Sequence, residues 1–554
     1  MNAATLKKLM TKKLVEFCAT DMRPFEIIQG EGFRQLAQFI WSMGSLHGNQ
    51  FTDVTCILPH PTTISRNVTA IKEDTMKRVM PAIKNSMEDG ECSASTDMWT
   101  DSHRKNHFLT MTAHYFDHNF TMKRKVLFTS LFKAKSKTGA NIKRELTKRF
   151  KSMGLDAKLL RKIPFVTDQG SNIVKALKPP FKRRNCRAHL LNTILRNTFE
   201  SDDIPLIIQK TLMNCKKIVR HLKQSGKSNE LSKAVVQDCG TRWNYRLDML
   251  QSVVQLHSEI MPLLSKKRRE DWSVDIELAN EIITFLKPFK EACKSMEGDS
   301  YCTSNKILLW WAELSEHLNE EICTRPSMKI VFRIARKFFK KKYSINMDNK
   351  VDCFLDPRYR ELKMLSDVER NEVFAEVKRL MNKAGNSTSE NESSLANKSK
   401  FFRFEGSLDD EKLDEFQLYM NTARFSMYLD DANDKKHLVE MFWRDNKNAF
   451  PQLFNLAKQR LHIPASSGSS ERVFSDAGRT SGAGSSGANM SMFYCEVIEV
   501  DKVNSGGGVD DEMIDVIEMS MDEVNEIVKQ GAKNVSPPAC LLGILWFLHN
   551  KCPK

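Results

Sequence analysis

Asp97, Asp168 and Glu471 stand in contexts that suit carboxylates meant for a ligand. Asp97 lies in Ser95-Thr96-Asp97-Met98-Trp99-Thr100-Asp101, at the end of a segment that reads as a strand. Asp168 lies in Phe165-Val166-Thr167-Asp168-Gln169-Gly170-Ser171-Asn172, where a short apolar strand meets a helix. Glu471 opens the helix that follows the Pro464-Ala465-Ser466-Ser467 break. In an open α/β sheet the crevice beyond the strand ends is where ligands bind. An aspartate driven out of an apolar strand into that crevice is a candidate catalytic group. The same residue at the same place also caps a helix, and Glu471, with Ser467 and Ser469 nearby, also fits a capping box. The three residues alone leave both readings open.

The elements that must position them change character along the chain. Residues 1 to about 90 read as helical, with Phe33, Leu36, Ala37, Phe39 and Ile40 at helical spacing, broken by Leu58-Pro59-His60-Pro61-Thr62-Thr63. From Cys92 the pattern becomes β-branched and aromatic, and Ser93–Met98, His107–Phe116 and Lys125–Phe132 read as three strands. Thr138–Met153 then reads as a helix, and Ile163–Thr167 as a buried strand leading into another helix. Three strands, a helix, a strand and a helix make an α/β plan with a mixed sheet. From 187 to 450 the pattern is helical, and Trp310, Trp311, Phe338 and Phe339 read as its core. Within that block the polar stretch Ala384–Lys400 reads as a disordered loop.

Beyond Gly478 the composition shifts once more. Ser481–Gly487 is rich in Gly and Ser, and residues 496–529 hold 11 acids against two lysines, with Ile514, Ile517, Met521, Val524 and Val528 as one helical stripe. No internal repeat is evident.

A chain of 554 residues can bury cores for two to four domains. With 28% charged residues and a mean hydropathy of −0.44 it reads as soluble and globular. Its 85 Lys+Arg against 69 Asp+Glu leave a formal charge of +16, which favours a polyanionic partner. Lys123-Arg124-Lys125, Lys182-Arg183-Arg184, Lys266-Lys267-Arg268-Arg269 and Lys340-Lys341-Lys342 carry much of it, although any one such cluster also serves as a solvated face. Thirteen cysteines stand singly with no CxxC pair, against a disulfide framework and against a zinc finger in this chain. The lysines at 7, 8, 12 and 13 interrupt any secretory leader, and the longest apolar run, Ala539–Leu548, falls short of the roughly 20 residues a bilayer needs. No membrane role and no small-molecule substrate are expected.

Several motifs occur in an order that resembles the hAT transposases. They are the Asp97 and Asp168 segments, Cys186-x-x-His189, Cys239-Gly240-Thr241-Arg242-Trp243-Asn244, Phe354-Leu355-Asp356-Pro357-Arg358-Tyr359, and Ile463 through Gly478 with Ser470-Glu471-Arg472 at its heart. Arg23-Pro24-Phe25 and Pro61-Thr62-Thr63-Ile64-Ser65-Arg66 likewise resemble the helical region of the Hermes transposase and of BED-finger proteins derived from such elements. The resemblance runs from about residue 15 to 478. It implies an α/β ribonuclease-H-like core interrupted by a large all-α insertion domain, with an N-terminal helical region and a C-terminal hAT dimerisation segment.

It also implies that Asp97, Asp168 and Glu471 are catalytic and bind Mg²⁺ or Mn²⁺, as two ions. Such a pair activates a water or 3′-hydroxyl and stabilises the leaving oxygen of a phosphodiester. Trp243 would stack on an extruded base, Arg242 would contact phosphate, and His189 would be a further phosphate contact. Trp243 also fits as a buried residue of the helical block, and Trp99 as packing beside Asp97.

The expected organisation is a helical DNA-binding and dimerisation region at 1–90 and the first part of the core at 91–186. The insertion domain follows at 187–450, with 384–400 as a loop, and the Glu-bearing helix and dimerisation motif at 451–480. A linker and acidic segment at 481–538, expected to be disordered, precede a last dimerisation helix at 539–554. Relatives commonly begin with a BED zinc finger, whose ligands do not occur in this sequence. The function expected is nuclear: metal-dependent DNA cleavage with hairpin formation and strand transfer by an enzyme that is at least a dimer on double-stranded DNA. The alternative is a domesticated, non-catalytic, dimerising DNA-associated regulator.

Overall fold

Five short segments with strand-forming composition build one sheet, and the residues between them build helices. The computed structural model describes residues 3–20, 25–47, 58–100, 105–134, 136–238, 243–319, 325–385, 414–422 and 437–480. The loop expected from 384 lies outside these from 386 onward, as do the linker, acidic segment and last helix expected from 481, and Arg242. Contacts divide the described residues into one unit within Met1–Ala70 and His221–Ala234, and a second within Ile71–Arg220 and Val235–Asn489.

In the first unit, α1 (Ala3–Thr20) and α2 (Glu31–His47) are joined through a short 3₁₀ turn, and the rings of Phe17 and Phe33 stack at 6.1 Å. Leu36, Phe39 and Ile40 of α2 are exposed. Helix α3 (Pro61–Glu88) starts at the Pro61 break, and its Ile83 and Met87, which belong to the second unit, are buried in that unit's core.

That core sits against the sheet. Gly90, at φ +75°, makes the turn from α3 into β1 (Cys92–Thr100), a backbone conformation open to glycine at no steric cost. β1 pairs antiparallel with β2 (His107–Phe116), which pairs antiparallel with β3 (Met122–Leu131). The chain then forms α4 (Gly139–Ser152), capped by Thr138 Oγ1 accepting from the Asn141 N–H at 3.3 Å, and the turn α5 (Leu159–Lys162). It returns as β4 (Pro164–Thr167), parallel to β1 on its other side. After α6 (Ser171–Ala176), β5 (Lys182–Asn185) adds parallel to β4, giving the order β3-β2-β1-β4-β5.

The period-2 alternation of β1 divides its faces. Cys92, Ala94 and Met98 pack with Leu109, Met111 and Ala113 of β2 and with Ile142, Leu146 and Phe150 of α4. Ser93, Ser95, Asp97 and Trp99 point the other way. The three expected strands and the fourth are present within a few residues. β5 is the addition: its Lys-Arg-Arg-Asn sequence carries the charge of a solvated face, yet it pairs as an edge strand. β1 also runs three residues past Asp97, which therefore lies inside the strand and not at its end.

From α7 (Arg187–Phe199) onward the described residues form helices and turns, ending with Gly468–Thr480, hereafter the Glu471 helix. A second apolar cluster joins Phe116, Phe120 and Met122 at one end of the sheet to Phe354, Tyr419, Phe442, Trp443 and Leu453 of these helices. No helix among the described residues is long and apolar enough to cross a membrane.

Candidate active site

The sheet register brings the two aspartates side by side. Ser95 of β1 is paired with Val166 of β4 in parallel, and Asp97 and Asp168 each follow two residues later. Adjacent strands run roughly 4.8 Å apart. The two carboxylates thus leave neighbouring parallel strands at the same level, next to the β4–α6 crevice. One oxygen of each is held by a backbone N–H: Met98 N donates to Asp97 Oδ1 at 2.8 Å and Gly170 N to Asp168 Oδ1 at 3.1 Å.

Glu471 arrives from 303 residues beyond Asp168 (471 − 168), on a helix docked over the polar face of β1. Its Oε1 lies 3.5 Å from His189 Nδ1. Side chains of Ser469, Ser470, Arg472 and Phe474 hold this helix. Ser95 Oγ bonds Ser469 Oγ at 3.0 Å and Ser470 Oγ at 2.9 Å. The Arg472 guanidinium donates to Asp299 Oδ2 at 2.7 Å and to the Glu297 carbonyl at 2.9 Å. Phe474 stacks on Trp99 at 5.8 Å, and Trp99 stacks on Phe108 at 5.7 Å, with the indole still 40% exposed.

Burial first, and then the charges of Glu471 and Asp168, raise the Asp97 pKa to about 7 against the lowering effects of the Met98 N–H and His189. The three acids therefore share one electrostatic neighbourhood with excess negative charge. Among the described residues, however, no three His, Cys, Asp or Glu side chains form a group that would hold a metal ion as it stands.

Cys186 and His189 contact each other directly. Cys186, fully buried ahead of α7, has its sulfur 3.3 Å from His189 Nδ1, 3.3 Å from Ser466 Oγ and 3.3 Å from the Ser467 N–H. It ties α7 to the segment that leads into the Glu471 helix. Burial opposes charge on both members, yet contact with Cys186, then the charges of Glu471 and Asp97, raises the His189 pKa, and contact with His189, then Ser466 and Ser467, lowers that of Cys186. The proton is drawn to the imidazole, which places positive charge beside Glu471.

Trp243 is placed as a core residue. It is 8% exposed, stacks on Phe199 at 4.5 Å, and carries the Arg246 guanidinium 4.0 Å above its ring. Both faces are occupied by protein, so the expected stacking on an extruded base is not available in this arrangement. The aromatic ring that is accessible beside Asp97 is Trp99, whose i, i+2 spacing from Asp97 on a strand was the signal for it.

Three regions of the chain match known protein families. Residues 3–63 match the Hermes transposase DNA-binding domain, 95–192 the ZBED1 RNase-like domain, and 418–482 the hAT family C-terminal dimerisation region. The Hobo transposase of Drosophila melanogaster is 28% identical over 297 residues, covering 53% of this chain and 44% of that protein. The putative AC transposase of Zea mays is 23% identical over 450 residues, 70% of this chain and 53% of that protein. Human zinc finger BED domain-containing protein 4 is 22% identical over 322 residues, 54% of this chain and 26% of that protein. The chain spans about half the length of the transposases it matches. With the matched regions in order along the sequence and an α/β sheet beneath the second of them, the chain is similar to the hAT transposases in its DNA-binding, RNase-like and dimerisation regions.

Proposed function

We propose that the protein acts in the nucleus on double-stranded DNA, as a dimer or larger assembly, and that Asp97, Asp168 and Glu471 make it a metal-dependent DNA transposase. What supports this is the strand register of two of the acids and the electrostatic influence of the third. Asp97 on β1 and Asp168 directly after β4 follow in register from neighbouring parallel strands, and the charge of Glu471, from the far end of the chain, raises the pKa of Asp97. A helical insertion at 187–450 accounts for the long separation in sequence.

The donor set fits Mg²⁺ or Mn²⁺: three hard carboxylate oxygen donors, and a desolvated Asp97 whose unbalanced charge a cation relieves. When bound, two such ions would activate the attacking water or 3′-hydroxyl and stabilise the leaving oxygen. The protein's own part is to hold the acids. The Met98 and Gly170 N–H groups orient Asp97 and Asp168, and the docked helix presents Glu471. His189, carrying the proton it shares with Cys186, would meet a backbone phosphate at the edge of the site. Hairpin formation and strand transfer would follow the first cut.

The test is nicking of supercoiled plasmid by the full chain in Mg²⁺ or Mn²⁺. Asp97→Asn, Asp168→Asn and Glu471→Gln are each expected to reduce nicking to background while DNA binding persists. Equal nicking by wild type and the three variants would remove the assignment. A non-catalytic, dimerising DNA-associated regulator is the second reading. It is favoured by the similarity to a zinc finger BED domain-containing protein. It predicts DNA binding with no metal-dependent nicking by the wild type.

A further inference from the structure

Ser95 lies two residues before Asp97 on the same face of β1, and Ser469 and Ser470 lie immediately before Glu471. The hydroxyls of these three serines meet inside the protein: Ser95 Oγ is 3.0 Å from Ser469 Oγ and 2.9 Å from Ser470 Oγ. His114, on β2 next to them, brings Nε2 to 3.0 Å from Ser95 Oγ and 3.4 Å from Ser469 Oγ. All four side chains are buried, at 0%, 2%, 0% and 3% exposure for Ser95, Ser469, Ser470 and His114. Burial, with Arg124 and Arg472 nearby, lowers the His114 pKa to about 3, so the ring is neutral and offers one donor and one acceptor.

A polar cluster is a costly way to seat a helix on a strand if seating is all that is required. Buried hydroxyls return little net stability, and each is penalised if left unpaired. An apolar seam would bury as well but would tolerate sliding and rotation. Hydrogen bonds of this length are directional and do not. Here the directional contact is made one and two residues from Glu471 and two from Asp97.

We propose that Ser95, His114, Ser469 and Ser470 form a positioning latch that sets where the Glu471 carboxylate stands relative to Asp97. This rests on the assignment of those two acids to a metal-holding site. The four residues touch neither metal nor DNA and act only through Asp97 and Glu471. The long intervening chain cannot fix the helix at the accuracy that two carboxylates sharing a metal would demand, whereas a bonded cluster within two residues of each carboxylate can.

The test is Mn²⁺ binding by calorimetry on the full chain without DNA, with thermal midpoints taken in parallel. Ser95→Ala and Ser470→Ala should weaken Mn²⁺ by roughly 10–100-fold, the usual cost of losing an outer partner of a metal ligand, while DNA affinity stays at the wild-type level. His114→Gln, which keeps a donor and an acceptor, should retain more affinity than His114→Leu. Should Ser95→Ala fail to fold, Ser469→Ala, which leaves the Ser95–Ser470 bond in place, carries the same test with a smaller loss. Folded variants that bind Mn²⁺ like the wild type, while Asp97→Asn does not, would overturn the latch alone. Equal Mn²⁺ binding by wild type and Asp97→Asn would overturn the metal site and the latch together.

Discussion

Asp97 is asked to be charged in a place that resists charge. Its pKa, raised to about 7 by burial and then by Glu471 and Asp168, exceeds the ordinary carboxyl value of 3.8. A group whose folded pKa is raised in this way favours the protonated fold. The penalty is absent below about pH 4, grows between pH 4 and 7, and is constant above. In chelator, the wild-type thermal midpoint should therefore fall from pH 5 to pH 8 more than that of Asp97→Asn. At pH 8 the variant should be the more stable by on the order of a few kcal/mol, since each pKa unit is worth about 1.4 kcal/mol. A larger pH dependence in Asp97→Asn than in the wild type would contradict this. Trp243 makes the opposite kind of prediction. Because Phe199 and Arg246 cover its faces, Trp243→Ala should cost about 3–5 kcal/mol of stability, with DNA affinity of the still-folded protein unchanged. A loss of DNA affinity without a loss of stability would restore the stacking role.

The elements are joined by contacts whose removal should be felt beyond their own strand or helix. Edge strand β5 is tied to two later helices, Met347–Phe354 and Pro451–Arg460, through one ionic cluster. Arg184 donates to Asp352 at 2.9 Å and Arg460 to Asp352 at 2.7 Å and Asp348 at 2.9 Å, with Asp352 fully buried. Removing one partner from a buried cluster leaves the others uncompensated. Asp352→Ala is expected to cost about 3–5 kcal/mol in denaturant unfolding, and a change under 1 kcal/mol would show the cluster to be solvated. Gly139 marks a close approach of another kind. A Cβ there would lie 2.8 Å from Lys175 Cβ and 2.9 Å from the Ala176 N, so α4 packs directly on α6, the helix that follows Asp168. Gly139→Ala must push the two helices apart, at a cost of about 1–3 kcal/mol. It should also weaken Mn²⁺ binding, because α6 is continuous with the Asp168 loop.

At the scale of the whole molecule the governing quantity is charge. A formal surplus of +16 predicts DNA binding that falls steeply with salt, each phosphate contact contributing a log–log slope of roughly −0.9. With several contacts, affinity measured by fluorescence anisotropy should drop on the order of a hundredfold between about 50 and 200 mM salt. A flat response would place the affinity in something other than phosphate contacts. The same surplus, counted over the whole sequence, includes the acidic residues at 496–529, so the remainder of the chain is more basic still.

What was legible in the sequence was whatever is encoded locally. β-Branched and aromatic runs marked β1, β2 and β3, an apolar stretch marked β4, and Thr138 followed by a helical period marked α4. The candidate acids were legible through short motifs in a recognisable order. What the local pattern hid has a physical reason in each case. β5 reads as basic because an edge strand is stabilised by backbone pairing to β4 and needs no apolar side chains of its own. Trp243 is ambiguous in sequence because the same indole serves a core and a binding face. Only Phe199 and Arg246, distant or unremarked in the pattern, decide between them. The meeting of Ser95 and His114 with Ser469 and Ser470 was beyond local reading altogether. A serine is equally at home at a cap, in a turn or in solvent, and its burial beside a partner 374 residues away is a property of the folded chain alone.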